Sequence, residues 1–288
     1  MKDSDCVEFL QWALPRLNMR WSGFRKVRRQ VCKRIGRRLR ELGLDSLRQY
    51  RDRLESDPAE WSRLDGFCHI TISRFYRDRR VFDVLGAQVL PELARLAAAG
   101  GRHVACWCAG CASGEEVYTL KFLWESRIGP RFPQTRLEII GTDLEPVMIE
   151  RAARGCFSAG SFKDMPAAWW EWALERTNRH YCVKDRYREG VRFALEDLRE
   201  QAPPGPYDLI LCRNLAFTYF AEPLQRAALK RIEARLRSGG YLVLGAHEKL
   251  PSGNQQLEPL PERREIYRLR RVRGNREDDR GQLSQSTG

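Results

Sequence analysis

The sequence predicts an α/β fold built on a mostly parallel sheet, preceded by a small all-helical domain. Three observations predict it. From Phe75 onward, short apolar runs alternate with helical stretches of ten to fifteen residues, the pattern of crossover units in a parallel sheet. Val104–Thr119, VACWCAGCASGEEVYT, reads as a strand, a turn of small residues and a helix start. Before residue 67 the apolar residues recur every three or four positions with no strand signal.

Taken in order, Phe24, Val27, Val31, Ile35, Leu39 and Leu42 draw one apolar stripe, and Gly43 suits a helix C-terminus. Asp45-Ser46 start a second short helix through Leu54, and Asp57-Pro58 start a third with proline in its first turn. Val81–Ala99 is a helix interrupted near Pro91. His103–Trp107 is a strand, Gly114–Trp124 a helix, Leu137–Thr142 a strand and Pro146–Arg154 a helix. A Trp-rich helix (Trp169, Trp170, Trp172) and short strands at Tyr181–Val183 and Gly190–Ala194 read as an inserted side subdomain that ends in a sheet strand. Tyr207–Cys212, Pro223–Leu236 and Gly240–Gly245 continue as strand, helix and strand, with Ile266–Arg270 as a final edge strand. The division expected is a helical domain over 1–67, a linker and helix over 68–100, and a sheet domain over 101–273 with an insertion at about 157–190. The polar tail 274–288 reads as disordered.

Composition removes several classes. Charges break every apolar run well before about 18 residues, so no membrane-spanning helix is expected. The N-terminus has two acids in its first five residues and does not read as a secretory signal. Nine cysteines at irregular spacing, without such a signal, read as reduced thiols of a cytoplasmic protein. The net charge of +13 favours acidic partners. It is concentrated: Arg16, Arg20, Arg25, Lys26, Arg28, Arg29, Lys33, Arg34, Arg37, Arg38 and Arg40 are eleven basic residues with no acid among them, and a second cluster follows at 263–273.

The small-residue turn lets a ligand approach the backbone at the carboxyl end of a first strand. It is no phosphate loop, because GK[ST] is missing and Glu115-Glu116 sit where a phosphate needs bare N–H groups. Carboxylates there suit a ligand carrying a cation. The same residues would also serve a tight turn whose acids complement the helix dipole. Asp143, ending IIGTD, is placed for a ribose diol, or alternatively for a helix N-cap before Pro146. Cys106, Cys108 and Cys111 lie on a strand and a turn without a second ligand pair, and His69, His103, His180 and His247 are dispersed, so no metal site is expected.

Five segments in order, RRQVCKRIGRRLRELGL, ITISRFYRD, CAGCASGEEVYTL, GTDLE and YDLILCRN followed by GGYLVLGAHE, make the chain similar to the CheR family of chemotaxis receptor glutamate methyltransferases, which use S-adenosylmethionine (SAM). The resemblance spans roughly residues 20–270. It implies a Rossmann-like SAM-binding sheet with a helical N-terminal domain and a small β-subdomain. It further implies that Glu116 holds the methionine amino group, with Gly110 and Ala112 lining the turn. Asp143 would bind the ribose, Asp197 and Leu198 would flank the adenine, and Arg213 and Asn214 would close the site. Ser73 and Arg77 would reach in from the linker, Arg77 as candidate for placing the acceptor carboxylate.

The chain departs from the family on the acceptor side. CRNLAFTYF carries one residue more before Tyr219 than the family's C-R-N-x-x-x-Y-F, so Tyr219 or Phe217 stands where the family has its tyrosine at the methyl group; Gly245-Ala246-His247-Glu248 replaces G-H-S-E, and Tyr76 replaces a phenylalanine. The reaction implied is O-methylation of a glutamate side chain in an acidic protein, with receptor helices meeting Arg25–Arg40 and nucleic acid as the less favoured partner. S-adenosylhomocysteine would be the product. The alternatives are a related methyltransferase acting on another protein, a peptide or RNA, and a non-catalytic SAM-binding regulator.

Overall fold

The computed structural model describes residues 2–177 and 180–270. The expected tail 274–288, and the last residues of the expected sheet domain, lie outside them. The first module is helical: α1 Asp3–Ala13, α2 Trp21–Phe24, α3 Arg28–Glu41, α4 Leu47–Ser56 and α5 Pro58–Phe67. Phe24, Val31, Ile35 and Leu39 face inward against Phe9, Leu10, Tyr50 and Leu54, as their spacing requires. Ser46 and Gln49 close a reciprocal capping box at α4, and Asp57 caps α5 ahead of Pro58.

A linker leads to α6 Arg79–Val84, a widened turn over Leu85–Val89, and α7 Leu90–Ala99. The break falls just before Pro91, which has no N–H to donate and whose ring crowds the carbonyl a turn earlier. Then come β1 Val104–Ala109, α8 Glu115–Leu123, β2 Leu137–Asp143 and α9 Pro146–Arg154. β3 Cys156–Phe157, α10 Ala168–Ala173, β4 Leu174–Thr177 and β5 His180–Val183 form the side subdomain, with sheet order β3-β5-β4. The main sheet resumes with β6 Val191–Leu195 and β7 Tyr207–Leu211, followed by α11 Ala216–Tyr219 and α12 Glu222–Arg235. It ends with β8 Leu236–Val243, β9 Leu257–Leu260 and β10 Arg263–Leu269.

The main sheet runs β6-β2-β1-β7-β8-β10-β9. The first five strands are parallel, and β10 is antiparallel to both neighbours. Strand order reverses between β1 and β7, so their carboxyl ends diverge and open a crevice there. Two expectations are corrected. The strand near Ile266–Arg270 is not the edge, because the segment around Pro259 folds back as β9 and covers it. Nor are all cysteines free: Cys6 is joined to Cys32 and Cys156 to Cys182. Packing of α1 on α3, and direct pairing across β3 and β5, bring together residues that sequence spacing cannot match. Among the described residues no helix is long and apolar enough to cross a membrane.

The helical module encloses one ion pair. Glu60, 1% exposed, takes a two-pronged bond from Arg38 at 2.9 and 2.8 Å and accepts from the Tyr50 hydroxyl at 2.9 Å. Arg38 is the main reason its carboxyl pKa lies below the ordinary value, against the pull of burial. Glu60→Ala should therefore cost about 3 kcal/mol in urea unfolding, because Arg38 and the Tyr50 hydroxyl lose their partner. A depressed carboxyl stabilises the fold above its unfolded pKa of about 4.3, and that contribution disappears as pH falls through the folded value. Wild type minus variant stability should shrink on acidification below about pH 4.3.

Candidate active site

Four strands deliver their carboxyl ends to one cleft, whose far wall is the linker and the helical module. The turn after β1 reaches it through Gly110 (φ 71°) and Ala112 (φ 47°). A side chain at Gly110 would collide with Leu215, since its Cβ would lie 2.5 Å from Leu215 Cδ2. The N–H groups of Gly110 and Cys111 both donate to Thr142 O, at 2.8 and 2.9 Å, and Ala112 N donates to Asp143 Oδ2 at 2.8 Å. These three N–H groups are thus engaged by the end of β2 rather than turned toward the cleft. Acids line the space, Glu116, Asp143, Glu145, Glu196 and Asp197, together with Arg74, Arg77, Arg199, Arg213 and His69.

Asp143 is held from both sides, Oδ1 accepting from Glu145 N at 3.0 Å. Burial is the largest influence on its carboxyl and lifts the pKa above the ordinary value. Each oxygen takes one backbone N–H and keeps acceptor capacity for a diol. Asp197, after β6, is turned onto Arg199 through contacts of 2.8 to 3.0 Å, and Leu198 lines the cleft with its side chain backed by the core. Asn214 (φ 55°) follows β7 and lines the cleft; its backbone N–H donates to Glu248 Oε2 at 2.7 Å. Ser73 and Arg77 line the cleft from the linker, and Arg77 Nη1 rests on Ile72 O at 2.7 Å.

Arg213 has another place than the rim. Its side chain is 3% exposed, with Nη1 on Glu116 Oε2 at 2.5 Å and Nη2 on Asp78 Oδ2 at 2.7 Å and Arg77 O at 2.8 Å. The guanidinium lies 5.0 Å from the Phe82 ring centre. It rivets the end of β7 to the start of α8 and to the linker. Two strand-end loop residues at the cleft, Ala112 and Asn214, and two linker residues beside it, Tyr76 and Asp78, lie in the left-handed region, at about 1–3 kcal/mol each for side-chain-bearing residues.

The aromatic candidates separate. Phe75, Tyr76 and Phe217 are buried in the core, Tyr76 donating its hydroxyl to Asp83 at 2.9 Å. Tyr219 lines the cleft and packs on Phe24 of the helical module at 4.9 Å. Its loop is clamped from two sides. Arg20 caps the carbonyls of Phe217 and Thr218. Glu248 accepts from Thr218 Oγ1 at 2.6 Å and from Gly245 N at 2.7 Å. His247 is exposed, so its buried neighbour Glu248 is what holds the loop. Sequence reasoning missed this role of Glu248, and it missed His69, Glu145 and Arg199 at the cleft wall. Only proximity in the fold marks them. Cys111 lines the cleft, and burial pushes the thiol pKa of Cys106, Cys108, Cys111 and Cys212 up, which leaves them unreactive. Among the described residues no group of three metal-ligating side chains could hold a metal ion.

Arg213→Ala leaves Glu116 and Asp78 facing each other without their cation. A loss of about 3–5 kcal/mol in chemical denaturation is expected, and Arg213→Lys should recover only part of it, since one ammonium cannot span both carboxylates and the Arg77 carbonyl as a planar fork does.

Comparison with known proteins agrees with this geometry. The family described as CheR methyltransferase, SAM binding domain, matches residues 71–266, and CheR methyltransferase, all-alpha domain, matches residues 26–64. A chemotaxis protein methyltransferase 1 of Pseudomonas aeruginosa is 31% identical over 246 residues, covering 80% of this chain and 86% of that one. A probable chemotaxis protein methyltransferase of Rhizobium etli is 30% identical over 227 residues, covering 76% and 84%. An uncharacterised 104.1 kDa protein of Rhodobacter capsulatus is 33% identical over 241 residues, and there the match covers 84% of this chain but 25% of that protein. The acid-lined cleft at the carboxyl edge of the sheet fits SAM as its cofactor, a cationic nucleoside. The chain belongs to the CheR family of SAM-dependent methyltransferases.

Proposed function

We propose that this protein O-methylates glutamate side chains on an acidic, chemoreceptor-like protein in the cytoplasm, with the helical module as docking surface and the boundary between its two parts near residue 68. The observation that carries the reading is the acid-lined cleft whose backbone donors are already satisfied, with a cationic linker residue, Arg77, on its wall.

SAM would be held by Asp143 at the ribose and by Asp197 and Leu198 at the adenine. Glu116 would take the amino group through Oε1, its Oε2 being engaged by Arg213. Gly110, Ala112, Ser73 and Asn214 would line the remaining walls. Bound SAM supplies an electrophilic methyl group on a cationic sulfur. An acceptor glutamate is ionised at neutral pH, its ordinary pKa being about 4.3, so no protein base is needed. The chain's task is placement, which is worth ~7–11 kcal/mol in favourable cases. Arg77 would turn from Ile72 O to orient the incoming carboxylate by its fork. Tyr219 would form the aromatic wall beside it. Burial raises its phenol pKa while the nearby Arg77 charge opposes that, so the hydroxyl stays protonated and does not act as a base.

The basic helix supports the choice of partner. Arg28 pairs with Asp3, Arg38 with Glu60, and Arg34 caps the carbonyls of Phe67 and His69. Lys26, Arg29, Lys33, Arg37 and Arg40 are exposed, recur every three or four residues, and take no ion pair among the described residues. One face of α3, with Lys26 in the turn before it, thus keeps its charges for an acidic surface.

Calorimetry with SAM should show binding to the wild type and none to Asp143→Ala or Glu116→Ala; unchanged affinity in both would remove the site assignment. Arg77→Ala should bind SAM and lose at least about tenfold in turnover, the cost of one lost orienting contact. Labelled methyl groups transferred to an acidic receptor fragment should be released by mild base as methanol, whereas a base-stable product would exclude a carboxylate acceptor.

A further inference from the structure

The cleft's outer wall holds an ionic chain that crosses from the helical module to both acid-bearing loops. His69 Nδ1 lies 2.5 Å from Glu145 Oε1, two residues beyond Asp143, and His69 Nε2 lies 3.2 Å from Asp65 Oδ2 on α5. Asp65 in turn takes Arg199 Nη1 on both oxygens at 2.9 and 2.8 Å. Arg199 grips Asp197 through Nε and Nη2. The His69 and Asp65 side chains are only 14% and 16% exposed, so these contacts are shielded from bulk water. On α3, Arg34 fixes the backbone beneath the imidazole by donating to Phe67 O at 2.8 Å and His69 O at 2.7 Å.

We propose that His69 and Asp65 are positioning residues of the cofactor site, latching the loops of Asp143 and Asp197 to the helical module, so that SAM binds more tightly when His69 carries its proton. The inference rests on the reading of this cleft as the SAM site. A protonated imidazole donates to Glu145 and Asp65 at once. A neutral ring has one N–H, and its bare nitrogen then faces a carboxylate. Deprotonation therefore opens the chain at Glu145 or at Asp65, and either way it loosens the tie of the Asp143 loop to α5, while the Asp197 loop stays on Asp65 through Arg199.

The groups around the ring set the direction. Burial alone lowers the imidazole pKa, but the hydrogen bonds and charges of Asp65 and Glu145 together carry it above the ordinary value of about 6.5. Asp143 also faces it, from the loop after β2, and Cys68 adjoins it on the linker. Arg199, with its partner Asp197, faces Asp65 from the loop after β6. The latch is whole below about pH 6.5 and is lost as pH rises through the raised folded value. Asp143 acts on the opposite, acidic side, since its carboxyl must ionise to accept the diol well. The amino group of SAM titrates in the alkaline window too, so the comparison must be made against a variant.

Calorimetric SAM titrations of the full chain between pH 6 and 9 provide it. Wild type should bind roughly tenfold more tightly than His69→Gln at pH 6, the equivalent of one pKa unit of coupling, and the ratio should fall toward one as pH rises. A ratio that stays constant with pH would assign His69 a merely structural role and overturn the latch. As a measurement that needs no variant, NMR titration of the four histidines should show the half-buried one gaining about one pKa unit on saturation with S-adenosylhomocysteine, as reciprocal linkage demands. No gain would equally overturn it. A folded wild type that binds no SAM at any pH would instead sink the cofactor reading itself.

Discussion

The structure depends on one buried cation. Arg213 leaves the end of β7 almost without solvent and is answered by two carboxylates and a carbonyl, Glu116, Asp78 and Arg77 O. A guanidinium removed from water is costly unless its donors are matched, and here Nη1 and Nη2 are matched while the buried Nε has no partner among the described residues. The three contacts come from two stretches of chain: Glu116 from the first turn of α8, and Arg77 O and Asp78 from the linker that leaves the helical module. This ion joins α8, the linker and the strand end at one point, alongside the Tyr76 N–Thr119 bond from linker to α8 and the Asn214 N–Glu248 bond at the strand end.

Around this centre the chain divides its acids by task. Glu116 and Asp78 neutralise Arg213, Glu248 organises the loop before Tyr219, and Asp65 ties the two domains. Asp143 keeps acceptor capacity for a ligand. The N–H groups of Gly110, Cys111 and Ala112 are taken by Thr142 and Asp143 at the end of β2. A nucleotide held by phosphates would need the reverse, free amides and few acids. Asp143, with no cation paired to it among the described residues and acceptor capacity on both oxygens, is the feature of this cleft that suits a ribose diol.

Much of the fold was legible because it follows local rules. The stripe from Phe24 to Leu39, the capping box at Ser46 and the small-residue turn at 109–114 each need only neighbours in sequence. The pieces that escaped are those made by packing. Nothing in the spacing of Cys6 and Cys32 announces their pairing, and the covering of β10 by β9 depends on a long return loop. At the site, motif residues such as Asp143, Arg213 and Asn214 were named, but the ion pairs by which Arg213 ties α8 to the linker were not. His69 was set aside as isolated, although Asp65 and Glu145 meet on its two nitrogens. The extra residue before Tyr219 left two aromatics in competition, and burial separates them: Phe217 fills the core and Tyr219 faces the cleft.

The central claim is that acids at the ends of β1 and β2 grip a sulfur nucleoside. A crystal structure of the protein with S-adenosylhomocysteine tests it most directly. The account predicts ribose hydroxyls on the Asp143 carboxylate and the homocysteine amino group against Glu116, with the Arg213 contacts intact. Density for the ligand in another place, or an Asp143 that touches no part of it, would contradict the account.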